Sequence, residues 1–173
     1  MSDERTAEAF VGAAREKARR LYEGVVVPHR SCGICIAETF GRPTSAYQAL
    51  RRGGISGSGE CGAIVAGRLV LGEILGDPDP TGAVTPALRD AMERYEARWR
   101  ERVDRGAAPG DGIVCNTLTG PFPIFRSPER HAFCTALATE VATAVAKALA
   151  AGGVTVPVTP VAPPAVADTR DDG

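Results

Sequence analysis

Residues 57–75 read Gly57-Ser58-Gly59-Glu60-Cys61-Gly62-Ala63-Ile64-Val65-Ala66-Gly67-Arg68-Leu69-Val70-Leu71-Gly72-Glu73-Ile74-Leu75. Two folds compete for this stretch. Its first six residues satisfy G-x-G-x-x-G, which inside a βαβ unit cradles a dinucleotide pyrophosphate at a helix N-terminus. That reading needs a strand before the loop and an acidic ribose ligand after a second strand. Thr44 to Arg52 reads instead as a short helix running into Gly53-Gly54, and no second strand follows. The pattern is a decoy for nucleotide binding. Cys61 to Leu75 is apolar on nearly every side, broken only by Arg68 and Glu73, and such a helix is a buried one. Gly62, Gly67 and Gly72 each cost about 1 kcal/mol of helix propensity relative to alanine, a loss that close approach of neighbouring helices would offset.

Outward from this core helix the punctuation is helical throughout. Asp3 to about Gly24 carries Phe10, Ala14, Ala18 and Leu21 on one face. Gly24-Val25-Val26-Val27-Pro28 ends it with a short extended piece, and Cys32 to Phe40 is a short helix stopped by Gly41-Arg42-Pro43. After the break at Gly76 to Gly82, Thr85-Pro86 caps a long helix with Leu88, Met92, Tyr95, Trp99 and Val103 on one stripe. Gly106 to Gly112 is loop, and Ile113 to Gly120, including Cys115, leads irregularly into Pro121-Phe122-Pro123. Ser127-Pro128-Glu129 opens a last helix running to about Ala151, with Cys134, Leu137, Val141, Val145 and Ala148 aligned. The expectation is an all-α domain over residues 1–151, five or six helices around one core. From Gly152 to Gly173 the proline-rich composition predicts a disordered tail that buries little apolar area.

Composition narrows the function classes. The 173 residues are 44% hydrophobic and 24% charged, with net charge −1, so no overall field recruits nucleic acid or an anionic membrane. On the long helix, six arginines from Arg89 to Arg105 are matched by five carboxylates from Asp90 to Asp104, a solvated, ion-paired face. No apolar run reads as a bilayer-spanning segment, and Met1-Ser2-Asp3-Glu4-Arg5 lacks the pattern of a signal peptide. A cytoplasmic protein without membrane insertion is expected.

The five cysteines, Cys32, Cys35, Cys61, Cys115 and Cys134, carry the chemistry. In a reducing compartment cysteine is core filler, metal ligand or redox group. Cys32-Gly33-Ile34-Cys35 is a C-x-x-C at a helix start, fit for a redox disulfide or for two metal ligands. It lacks the preceding strand of a thioredoxin-like fold, and no second C-x-x-C completes a zinc ribbon. Cys61 follows the glycine loop at a helix N-terminus, where backbone N–H groups and the helix dipole favour a thiolate. His29 and His131 each lie three residues before a cysteine and read better as exposed polar side chains than as ligands or proton donors.

With these residues in view, the chain resembles a family of small redox-active proteins named for the pattern C…CGAxxG…C…C. The resemblance runs from the first helix to about Ala151 and is most specific at Gly59 to Gly67, followed by Leu69-Val70-Leu71-Gly72. Cys115-Asn116-Thr117-Leu118-Thr119-Gly120 and Cys134 match the third and fourth cysteines. Two features depart from the pattern: its closing glycine falls on Ala66, and the segment before the glycine loop is short, with Cys35 additional. The first family cysteine is Cys32, with Cys35 as its substitute.

The resemblance implies redox or metal chemistry without naming a reaction. Its most economical form is an iron–sulfur cluster held by Cys32, Cys61, Cys115 and Cys134, serving electron transfer with a redox partner protein. The alternatives are metal-free thiol–disulfide exchange with Cys32 or Cys61 as the attacking thiolate, a structural zinc site on the same cysteines, and a helical interaction protein without cofactor.

Overall fold

The computed structural model describes residues 2–106, 108–110 and 112–163. Its elements are α1 (Ser2–Glu23), α2 (Cys32–Thr39), a 3-10 helix (Ala46–Leu50), α3 (Gly62–Leu75), α4 (Pro86–Arg102), α5 (Cys115–Leu118) and α6 (Pro128–Ala151). Among the described residues the only strand-like pairing is an isolated antiparallel bridge between Glu60 and Val114. The fold is all-α. Three local readings change: the helix expected at Thr44 to Arg52 tightens to one 3-10 stretch, Gly24 to Pro28 forms bends with no strand, and Cys115 opens the four-residue α5.

The core centres on α6, which contacts α1, α4, α3 and α2. Its buried face alternates alanine with larger residues, including Leu137, Ala138, Val141, Ala142, Val145, Ala148 and Leu149. Small side chains let four helices crowd one axis, and apolar burial of about 25 cal/mol per Å² does the rest. Thr139 and Thr143 are buried in this interior and Thr135 is half-buried, and each hydroxyl donates to the carbonyl one turn back, at 2.7 Å for Thr135 and Thr139 and 2.8 Å for Thr143. These bonds remove the cost of unpaired buried hydroxyls. The α1 stripe of Phe10, Ala14, Ala18 and Leu21 is buried as expected.

By length and composition α6 differs from the membrane expectation. Its best 18-residue window has mean hydropathy 1.4, enough to cross a bilayer, but 61% of that window is buried inside the protein. Its apolar surface is covered by its neighbours, as in a central core helix.

The glycines of α3 divide two to one. A Cβ at Gly62 would lie 2.0 Å from the Leu50 carbonyl oxygen, and one at Gly67 would lie 2.3 Å from the Tyr95 hydroxyl. That hydroxyl donates to the Ile64 carbonyl at 2.7 Å, so Gly67 admits the side chain that fastens α4 to α3. Gly72 faces no neighbour within 4 Å and has no such role. Thr85 joins the same helices end to end: its hydroxyl donates to Leu75 O at 2.6 Å and accepts from Leu88 N at 3.1 Å.

Beyond Ala151 no helix or strand continues over the described residues 152–163. The packing of this segment differs from expectation. Val154, Val156, Val158 and Val161 are half-buried against the core, while Thr155, Pro157, Thr159 and Pro160 face outward. An extended backbone alternates its side chains, so prolines that forbid a helix still permit a valine strap. The remainder of the expected tail, 164–173, lies outside the described residues.

Candidate functional site

Cys61 caps the N-terminus of α3. The glycine loop before it runs antiparallel to residues 113–116: Cys61 N donates to Ile113 O at 2.7 Å, Cys115 N to Gly59 O at 3.0 Å, and Asn116 N to Gly57 O at 2.9 Å. Backbone therefore sets Cys61 beside Cys115. At two positions this turn tolerates nothing larger than glycine. A Cβ at Gly53, whose φ is +56°, would lie 2.6 Å from Cys115 Cβ, and one at Gly57 (φ +82°) would lie 2.0 Å from Asn116 Oδ1.

Cys32 opens α2 with φ +40°, a left-handed backbone that costs a non-glycine residue on the order of 1–3 kcal/mol and clusters at functional sites. Beside it, Ser31 Oγ is buried without a hydrogen-bond partner. Cys134 comes from the second turn of α6. Tyr22, at the end of α1, links this second pair: its hydroxyl is within hydrogen-bonding reach of the sulfurs of Cys134 and Cys32.

Cys32, Cys61, Cys115 and Cys134 line one small pocket, partly open to solvent, with Tyr22, Ala63, Leu118, Thr119, Phe133 and Leu137. Cys35 does not. It is fully buried, its thiol donates to Ala18 O at 3.2 Å, and it belongs to the α1–α2 contact. All five cysteines are free thiols.

Burial is the main influence on the four pocket thiols and raises the pKa of each. Cys61 is pushed up to about 12 despite N–H groups of Ala63 and Ile64 aimed at its sulfur. Cys134 is pushed up to about 11 against the Tyr22 hydroxyl. Cys32 and Cys115 shift the same way, opposed by Arg130 and, respectively, the Arg52 backbone N–H and the Arg52 charge. The helix N-terminus thus does not produce the ionised Cys61 that the sequence suggests, because desolvation outweighs two hydrogen bonds. Without a cation at the pocket the thiols hold their protons at neutral pH.

Among the described residues, no three Cys, His, Asp or Glu side chains are grouped so as to hold a metal ion. Zinc–thiolate bonds of about 2.3 Å require sulfurs crowded around a single point. The donor set is all soft sulfur, suited to iron–sulfur clusters or zinc, in a mostly apolar lining.

The histidines differ from the expected exposed pair. His29 is exposed but His131 is half-buried. Their rings stand 5.4 Å apart and flank Tyr22, at 4.7 Å for His29 and 5.8 Å for His131. His29 Nδ1 bonds Tyr22 O, and His131 Nε2 pairs with Glu23 O at 3.0 Å. They brace the end of α1 and do not line the pocket. Sequence reasoning missed Tyr22, whose place beside Leu21 on an apolar face gives no sign of a pocket role. It also missed Arg52 and Arg130, whose guanidinium groups lie 5.2 and 4.9 Å over the Phe125 ring. No protein-family model, no curated protein and no solved structure matches the chain, so its function is read from this geometry.

Proposed function

We propose that Cys32, Cys61, Cys115 and Cys134 hold an iron–sulfur cluster and that the protein is a small electron carrier. One observation carries the reading: four thiols from four separate elements line a single pocket, while the fifth cysteine, Cys35, is turned into a helix contact. Such a cluster requires thiolate ligands and supplies one-electron chemistry when bound. The chain's own residues account for the rest. The Ala63 and Ile64 N–H groups face the Cys61 sulfur, the Tyr22 hydroxyl faces those of Cys134 and Cys32, and Arg130 lends positive charge near Cys32, Cys115 and Cys134. Donors of this kind around ligand sulfurs set their basicity and the potential of what they hold. Leu118, Phe133 and Leu137 give the pocket an apolar wall.

Zinc sites usually draw on paired C-x-x-C ligands, and Cys35 of the single such pair is turned away from the pocket, which favours a cluster over a structural zinc ion. Burial raises the pKa of each pocket thiol and so works against metal-free exchange, which needs an attacking thiolate. The test is anaerobic purification followed by an absorption spectrum with iron, sulfide and zinc counts on wild type, Cys32→Ser and Cys35→Ser. Iron and sulfide in wild type, lost in Cys32→Ser and kept in Cys35→Ser, is the expected result. Zinc in stoichiometric amount, or equal loss of a two-electron couple from both variants in metal-free protein, overturns it.

A further inference from the structure

The end of the bundle that bears the cysteines also bears most of the exposed apolar side chains. Among the described residues the exposed large hydrophobics are Val25, Ile55, Leu69, Val84, Val114, Ile124 and Phe125. Four of these, Ile55, Val114, Ile124 and Phe125, lie in the loops that deliver Cys61 and Cys115 or that join α5 to α6. The loops are neighbours in space, since residues 57–61 bond to 113–116 and Arg52 lies over Phe125. Scattered exposed hydrophobics are ordinary, but several on one face are not.

Charge on this face has one dominant sign. Arg51, Arg52, Arg126 and Arg130 occupy it, and the carboxylates nearby in sequence are Asp111, Glu129 and Glu60, the last paired with Arg68 at 3.3 Å. The exposed face of α4, by contrast, mixes both signs. Phe125, 55% exposed, is held outward between the guanidinium groups of Arg52 and Arg130. An aromatic flanked by arginines beside apolar residues is the composition of a protein interface, not of a nucleic-acid stripe.

We propose that this loop face, around Arg52, Phe125 and Arg130 at the mouth of the cysteine pocket, is the docking surface for an acidic redox partner protein. The partner's redox class rests on the electron-carrier reading, whereas its acidity follows from the charge of the surface. Docking here brings the partner against the loops that carry Cys61 and Cys115, both of which line the pocket. Opposite charge speeds encounter and Phe125 anchors the complex.

The test titrates the isotope-labelled full chain with oxidised flavodoxin, an acidic FMN protein, and follows backbone amide shifts. Perturbations confined to residues 51–58, 113–116 and 122–130 are expected, with affinity falling steeply from about 20 to about 200 mM salt. Arg52→Glu and Arg130→Glu should each weaken Kd by about tenfold or more. Arg89→Glu, on exposed α4, should leave it unchanged. Phe125→Ser should weaken binding with the salt dependence intact, and circular dichroism checks each variant's fold. The surface is refuted by perturbations centred on α4, by none at about 1 mM flavodoxin, or by charge-reversed variants that fold and bind as wild type. Binding to vesicles of anionic phospholipid through these loops, with no response to flavodoxin, refutes it in favour of a membrane surface. Absent iron and sulfide with docking intact would remove the cluster and leave the surface standing.

Discussion

In the body of the bundle, α1 meets α6 and α2 through side chains, with Phe10, Ala14, Ala18 and Leu21 buried. At the cysteine end, the glycine loop meets residues 113–116 through main-chain hydrogen bonds, and side chains are largely kept out. The first contact is forgiving, because apolar groups of similar volume repack at modest cost. The second is not, since a single added methyl collides with backbone. The body tolerates sequence change and fixes the frame, whereas the end is intolerant and sets Cys61 beside Cys115.

The largest expected effect lies in the body. Trp99 is 1% exposed on α4, and Trp99→Ala should cost about 3–5 kcal/mol. Chemical denaturation followed by both helical signal and thiol alkylation should show the two regions failing together. Alkylation that precedes loss of helix would make the cysteine end an independent unit.

Alkaline pH should strike the cysteine end next. Cys61 is raised in the folded protein from 9.0 to about 12, and each unit of difference corresponds to about 1.4 kcal/mol. The folded state keeps the proton that the unfolded chain releases above pH 9.0, so this stabilisation is complete below that value and is lost as pH rises towards 12. In metal-free protein, denaturation midpoints should therefore fall over that interval, and less so in Cys61→Ala. An equal fall in both would place the alkaline sensitivity elsewhere.

A narrower cut is Gly53→Ala. Positive φ and the 2.6 Å approach to Cys115 Cβ should cost roughly 1–3 kcal/mol. The altered geometry should speed alkylation of Cys115 while leaving circular dichroism unchanged. Alkylation at the wild-type rate would mean that the loop yields without disturbing the pocket. The smallest effect should come from ending the chain at Ala151. Four half-buried valines on the strap should be worth about 1–2 kcal/mol after the entropy of ordering it, and a thermal midpoint identical to that of the full chain would refute their contribution.

The helical frame was legible because its signals repeat. The stripe of Phe10, Ala14, Ala18 and Leu21 and the caps at Thr85 and Ser127 all appear where spacing and residue type put them. The strap carried a signal too, Val154-Thr155-Val156-Pro157-Val158 with period two, but its prolines spoke louder than its alternation. At the site, spacing named the cysteines without giving their orientations. Cys32 and Cys35 share one short helix, and only the left-handed backbone at Cys32 and the thiol bond from Cys35 to Ala18 separate them. Neither leaves a trace in residue type. The raised thiol pKa values were equally hidden, because they depend on burial by residues distant in sequence.

The pairing of α1 with α6 has a consequence for the order in which the molecule is made. Tyr22 leaves the ribosome early, and Cys134 follows only with the last of the helices. The pocket's second half, Cys32 with Cys134 across Tyr22, closes a loop over most of the chain, and such long-range closures form late because their entropy must be met before any contact rewards it. A nascent chain that still lacks α6 carries three of the four pocket thiols and has no wall of Phe133 and Leu137 to shield them. On the electron-carrier reading proposed above, loading of the pocket would follow synthesis of α6, the helix that supplies both the centre of the core and the fourth pocket thiol.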